Sequence, residues 1–171
     1  MSVKYPLSCK KAFTLIELIV VVSLISVMLF FAVPRMDGSF LTDESRKFSG
    51  WLLANVKELK TEAVEKQNTM ALYVDMDRNQ LWKGPASMQE EDFPGPEDSN
   101  RVSLPRGHRL RDVMFSGDIR TADGIVRIYF YPRGYSDRAI IHVRKNDGSV
   151  TSYRIESFLP RVAIVSGYEE F

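Results

Sequence analysis

From Phe13 to Val33 the chain is apolar except at Thr14, Glu17, Ser23 and Ser26, and Glu17 carries the only charge. As a helix rising about 1.5 Å per residue, this stretch extends roughly 31 Å, the thickness of a bilayer's hydrocarbon. The pattern predicts a membrane-spanning helix over residues 13–33, preceded by a polar leader at 1–12. Pro34 has no N–H for a continuing helix, and Asp37-Gly38-Ser39 follows it, so a kink or break is expected on leaving the span. The apolar period then becomes helical again. Phe48, Leu52, Val56, Leu59 and Ala63 recur at three- and four-residue steps beside Trp51, with Thr42 or Asp43 placed to cap a first turn. Residues 34–68 therefore read as an amphipathic helical half, supported by an i,i+4 Glu62–Lys66 pair.

After Asn68 the pattern shifts to short alternating runs separated by turn residues. Strands are predicted over 69–74, 80–83, 110–115, 125–131, 139–144, 150–157 and 161–165. Pro132-Arg133-Gly134 and Asn146-Asp147-Gly148 supply turns that fold consecutive strands back antiparallel. The expected fold is α+β: a long N-terminal helix packed on an antiparallel, β-sandwich-like domain at 69–171. Residues 84–107 interrupt it with Gly84-Pro85, Pro94-Gly95-Pro96, Pro105 and the acids Glu90, Glu91, Asp92, Glu97 and Asp98. That composition predicts a long loop insertion that neither pairs as strand nor packs as core.

Composition changes this picture little. The chain has 171 residues, 44% hydrophobic and 26% charged, as one anchored domain would. Its formal charge is +1, but Lys4, Lys10 and Lys11 lie in the leader; without them 20 basic side chains face 22 acidic ones, a net −2. No basic excess remains for nucleic acid. Cys9, the single cysteine, also lies in the leader.

The chemistry-bearing residues are sparse. His108 and His142 have no second histidine, cysteine or paired carboxylate at ligand spacing. Asp75-x-Asp77-x-Asn79 opens like a calcium loop, but Gln80 and Ala86 stand where that loop needs glycine and glutamate. Arg101, Arg106, Arg109, Arg111 and Arg120 are interleaved with Asp112, Asp118 and Asp123, a mixed surface rather than a DNA groove. Tyr129, Tyr131 and Tyr135, near Arg127, Arg133 and Arg138, have the chemistry to stack bases, although strand tyrosines more often pack. No nucleophile, base, metal site or cofactor motif emerges, and no enzymatic activity is expected.

One motif is specific. Lys10-Lys11-Ala12-Phe13-Thr14-Leu15-Ile16-Glu17 places two lysines and a small residue before the apolar run, whereas an ordinary secretory signal has its small-residue cleavage site after a shorter apolar core. Lys10 and Lys11 keep the N-terminal side cytoplasmic, so residues 34–171 face outward. An ionised carboxylate within a span costs about 2.5–3.5 kcal/mol at mid-bilayer, and somewhat less near an end where Glu17 lies, unless it finds a partner.

This order of residues resembles the class III signal of type IV pilins and pseudopilins. The long helix followed only by β structure, with the stretch from Trp51 to Lys83 and Tyr129-Phe130-Tyr131-Pro132-Arg133-Gly134, is most similar to the H-type minor pseudopilin of type II secretion. The resemblance implies that a prepilin peptidase cleaves between Ala12 and Phe13 and methylates the Phe13 amine. It makes Glu17 the fifth mature residue and the acceptor for a neighbouring subunit's amine. Ala12 departs from the glycine usual in the family, keeping its small size. The implied role is a pilin-like structural subunit of a periplasmic pseudopilus that helps export folded proteins. Implied partners are other major and minor pseudopilins, the prepilin peptidase, the inner-membrane assembly platform and exported proteins. The implied location is the inner membrane, crossed once. The rival is a minor type IV pilin of a pilus or DNA-uptake machine. Its expected basic C-terminus contrasts with the acidic Gly167-Tyr168-Glu169-Glu170-Phe171.

Overall fold

The computed structural model describes residues 14–32, 43–95, 98 and 100–171. They fall into two compact units, divided between Phe40 and Leu41.

The first unit holds helix α1, Leu15–Ala32. Thr14 starts it: its Oγ1 accepts from the Glu17 N–H at 3.4 Å, the cap expected of a threonine three residues before a first-turn glutamate. The Ser23 and Ser26 hydroxyls donate back to the Ile19 and Val22 carbonyls, both at 2.8 Å, so these groups are satisfied within the helix itself. Every side chain described from Leu15 to Met28 is exposed. A helix apolar on all sides belongs in a non-aqueous setting.

The second unit is built on helix α2, Asp43–Glu65. It begins where Thr42 and Asp43 predicted and buries the expected stripe: Phe48 is 3% exposed, and Leu52, Val56, Leu59 and Ala63 are 0%. Two antiparallel sheets contribute the rest of that core. One has the order β3-β2-β1-β6, from β1 (Met70–Asp75), β2 (Gln80–Pro85), β3 (Arg101–Ser103) and β6 (Ile125–Phe130). The other has the order β5-β4-β7-β8-β9, from β4 (His108–Phe115), β5 (Ile119–Thr121), β7 (Ala139–Lys145), β8 (Val150–Ile155) and β9 (Val162–Ser166). Leu72, Val74, Ile128 and Phe130 from the first sheet meet Val113, Ile141 and Ile155 from the second in a single core with α2. The pilin-like α+β expectation holds for this unit, with β3 and β5 as strands the periodicity did not predict.

The 84–107 expectation is corrected. β3 lies inside that stretch and pairs with β2, Leu81 opposite Val102 and Trp82 opposite Arg101. Phe93 packs edge-on against Tyr73 and Trp82, at centroid separations of 5.3 and 5.1 Å, and Met88 joins the same cluster. Glu90, Glu91, Asp92 and Asp98 are exposed, but a few apolar residues among them suffice to cover the outer face of β1 and β2. Average composition did not reveal this because Phe93 and Met88 act as individual anchors. The turn at 75–79 is also structural: Asp75 Oδ1 accepts from the Arg78 N–H at 2.9 Å, and Asn79 Oδ1 accepts from the Leu110 N–H at 2.7 Å.

Lys60 fastens α2 to the 156–159 segment. Its buried ammonium donates to the carbonyls of Glu156 (2.7 Å), Ser157 (3.0 Å) and Leu159 (2.7 Å). Burial lowers its pKa from the usual 10.5, while the Glu156 charge opposes that shift.

The tyrosines beyond β6 pack rather than stand free. Tyr131 stacks on Tyr135 at 4.7 Å, and its hydroxyl donates to Asp137 Oδ1 at 3.0 Å. Burial, then that hydrogen bond, pushes the Tyr131 phenol up from 10.0 to about 12. The folded chain thus holds this proton more tightly than the unfolded chain. The stabilisation is full below pH 10 and disappears as pH rises toward 12. Thermal unfolding followed between pH 9.5 and 12 should show wild type losing stability faster than Tyr131→Phe; parallel curves would disprove it.

Candidate functional site: the N-terminal helix and the outer face of the second sheet

Glu17, the predicted assembly residue, lies at the start of α1. Glu17 occupies its first turn, exposed, with its backbone N–H held by Thr14 O at 3.1 Å as well as by Thr14 Oγ1. Ala12 and Phe13, the expected cleavage and methylation positions, lie outside the described residues, as do the two ends of the expected 13–33 span. Among the described residues no helix is long and apolar enough to cross a membrane.

The second set of residues sits on the outer face of the second sheet. Alternation along β7 places Ala139, Ile141 and Val143 toward the core and Ile140 and His142 on the opposite face. The sequence puts His142 on a polar side. In the structure it is 0% exposed, covered by Tyr168, whose ring stacks on the imidazole at 4.0 Å. Register makes Asp112, His142 and Ser152 cross-strand neighbours on β4, β7 and β8. A β-bulge between Leu110 and Asp112 leaves Arg111 outside the pairing.

These three side chains are those of a serine–histidine–aspartate triad, but their hydrogen bonds serve another purpose. His142 Nδ1 lies 2.6 Å from Asp112 Oδ1, and its Nε2–H donates to the Glu169 carbonyl at 2.8 Å. Ser152 Oγ donates to the Gly167 carbonyl at 2.6 Å and accepts from the Glu169 N–H at 3.2 Å. Ser152 and His142 are each engaged by the 167–171 segment, so the constellation holds a peptide. Asp112 and His142 are 30 residues apart, a pairing only strand register brings about.

The other residues singled out in the sequence do not form one site. His108 bridges elements, Nε2 3.3 Å from Ser45 Oγ and Nδ1 3.2 Å from the Arg106 carbonyl. Arg101 lies over Trp82 at 4.1 Å on the first sheet, whereas Arg111 and Arg120 lie over Tyr168 on the second, at 4.3 and 5.6 Å. The arginines are thus divided between two sheets. Among the described residues no group of three or more histidines, cysteines or acids could hold a metal ion.

Residues 7–33 match the family of the prokaryotic N-terminal methylation motif. No curated protein matches the chain in sequence. Among solved structures, two of the minor pseudopilin EpsH from the type II secretion system of Vibrio cholerae share the fold. One has a TM-score of 0.51 at 11% identity, covering 72% of this chain and 98% of that one. The other has a TM-score of 0.52 at 12% identity, covering 75% and 98%. The chain therefore carries the prokaryotic N-terminal methylation motif and shares the α+β fold of the minor pseudopilin EpsH.

Proposed function

We propose that this protein is a minor pseudopilin, a structural subunit of a type II secretion pseudopilus rather than an enzyme. The observation that carries the reading is α1 itself. It is a helix apolar on every described face with one carboxylate in its first turn, directly after a Lys-Lys-Ala-Phe-Thr leader junction. Residues 13–33 span the inner membrane, residues 1–12 form a cytoplasmic leader, and residues 34–171 lie in the periplasm. A prepilin peptidase removes the leader between Ala12 and Phe13 and methylates the Phe13 amine.

The physics of assembly follows from Glu17. An unpaired carboxylate and an unpaired amine are each penalised in lipid. When a neighbouring pseudopilin brings its amine to Glu17, both penalties fall, and the pairing fixes axial register between subunits. Partners are major and minor pseudopilins, the peptidase and the inner-membrane assembly platform, with exported proteins as contacts of the periplasmic domain.

Mass spectrometry of the protein purified from membranes containing an active prepilin peptidase tests the reading. The expected mature N-terminus is N-methylated Phe13. Recovery with residues 1–12 attached would overturn the assignment.

A further inference from the structure

The 167–171 segment lies on the second sheet as a bound peptide lies on its receptor. Among the described residues it makes one backbone-to-backbone hydrogen bond, Gly167 N–H to Val150 O at 2.8 Å. Its other attachments are to side chains of the sheet. The Tyr168 ring lies between the chemistry of an imidazole and a guanidinium, His142 at 4.0 Å and Arg111 at 4.3 Å, and its hydroxyl donates to Asp112 Oδ1 at 3.3 Å. Arg154 pairs with Glu169, and Arg120 pairs with Glu170 at 2.5 Å. Arg138 covers the Phe171 ring at 4.5 Å. Each side chain from 168 to 171 therefore has its own receptor group.

The segment is also removable. Tyr168 and Glu169 are half-buried, Glu170 and Phe171 are exposed, and none belongs to the main core. Its departure would leave Ile141, Val143 and Tyr153 packed on the inner face while uncovering the buried Asp112–His142 pair. Arg120 would lose its acid. A face with these unmet needs binds whatever restores them.

We propose that this face is an interaction surface for an acidic, tyrosine-bearing segment of a partner protein, and that residues 167–171 occupy it in cis until such a segment displaces them. The chemistry selects a peptide over a nucleic acid. Glu156 already pairs with Arg138 and Arg154, and Asp112 needs a donor such as a tyrosine hydroxyl, which a phosphate backbone does not offer. The proposal does not depend on the pseudopilus reading, because every group lies within the β domain.

A fluorescent, end-capped Gly-Tyr-Glu-Glu-Phe peptide titrated onto the full chain in detergent micelles tests it. The tethered segment competes at an effective concentration of about millimolar, so wild type binds the peptide weakly. Tyr168→Ala/Glu169→Ala, which loosens the segment, should bind about tenfold more tightly, since apparent affinity scales with the fraction of open sites. Adding Arg154→Glu to that variant should abolish the gain. Hydrogen exchange on the unaltered chain needs no folded variant: excess peptide should speed exchange at Gly167 and Glu169, whose amides donate to Val150 O and Ser152 Oγ, and leave β7 and β8 unchanged. Unaltered exchange at those amides overturns the proposal, as does equal affinity of wild type and a folded loosened variant. Stronger competition by a single-stranded oligonucleotide than by unlabelled peptide also overturns it.

Discussion

Replacing Glu17 with leucine should leave the chain anchored in the membrane and lower its recovery in isolated fibres by roughly tenfold or more. The magnitude comes from the carboxylate: in the proposed pairing an amine relieves a lipid penalty that is about 2.5–3.5 kcal/mol at mid-bilayer and smaller one turn inside the span, where Glu17 lies, and about 1.4 kcal/mol is a factor of ten. Leucine removes the penalty from the unassembled subunit and leaves the neighbour's amine without an acceptor in the fibre, so the drive for incorporation is lost from both sides. The start of the helix should survive, because Thr14 holds the backbone N–H of residue 17 rather than its side chain. Membrane fractionation and immunoblotting of sheared fibres read the two quantities separately. Wild-type abundance of the variant in fibres would remove Glu17 from the assembly mechanism, and loss from the membrane fraction would show that its role is in insertion.

The largest effect expected within the β domain follows Lys60→Met. Methionine keeps most of the aliphatic stem but offers no donor to the carbonyls of Glu156, Ser157 and Leu159. Ser157 O keeps the Ser136 N–H at 2.9 Å, so the loss falls mainly on the other two. Charge-assisted hydrogen bonds contribute about 1.5–3 kcal/mol each, partly offset here because the ammonium no longer has to be desolvated, giving a net loss of about 3 kcal/mol. For a domain of this size that lowers the unfolding temperature by roughly 6–12 °C. Hydrogen exchange should rise first around residues 156–160. An unfolding temperature within about 2 °C of wild type would mean that burying the charge offsets its hydrogen bonds.

Where periodicity was strong the elements matched the sequence closely. The Phe48–Ala63 stripe identified the buried face of α2 residue by residue, and five of the later strands were placed because β-branched and aromatic runs lie between turn residues. Three-residue strands were beyond it: β3 and β5 have no period of their own and are strands because β2 and β4 offer them an edge. Lys60 reads on the sequence as one more charged residue on the polar side of a helix. Its capping carbonyls come from about a hundred residues away, brought there by tertiary packing.

The same division runs through both sites. Local order alone carried the N-terminal site: lysines, a small residue, Phe13, Thr14 and Glu17 follow one another directly, and an apolar helix with one acid is defined by its own side chains. The face holding residues 167–171 was decided only by folding. Asp112, His142 and Ser152 come from three strands, and each looked like an isolated polar residue until antiparallel register set them side by side. The acidity of Tyr168-Glu169-Glu170 could be read from composition, but its receptor could not. Hydrogen bonds and ring contacts act over a few ångströms of space, and the sheet, not the chain, determines which side chains lie within that distance.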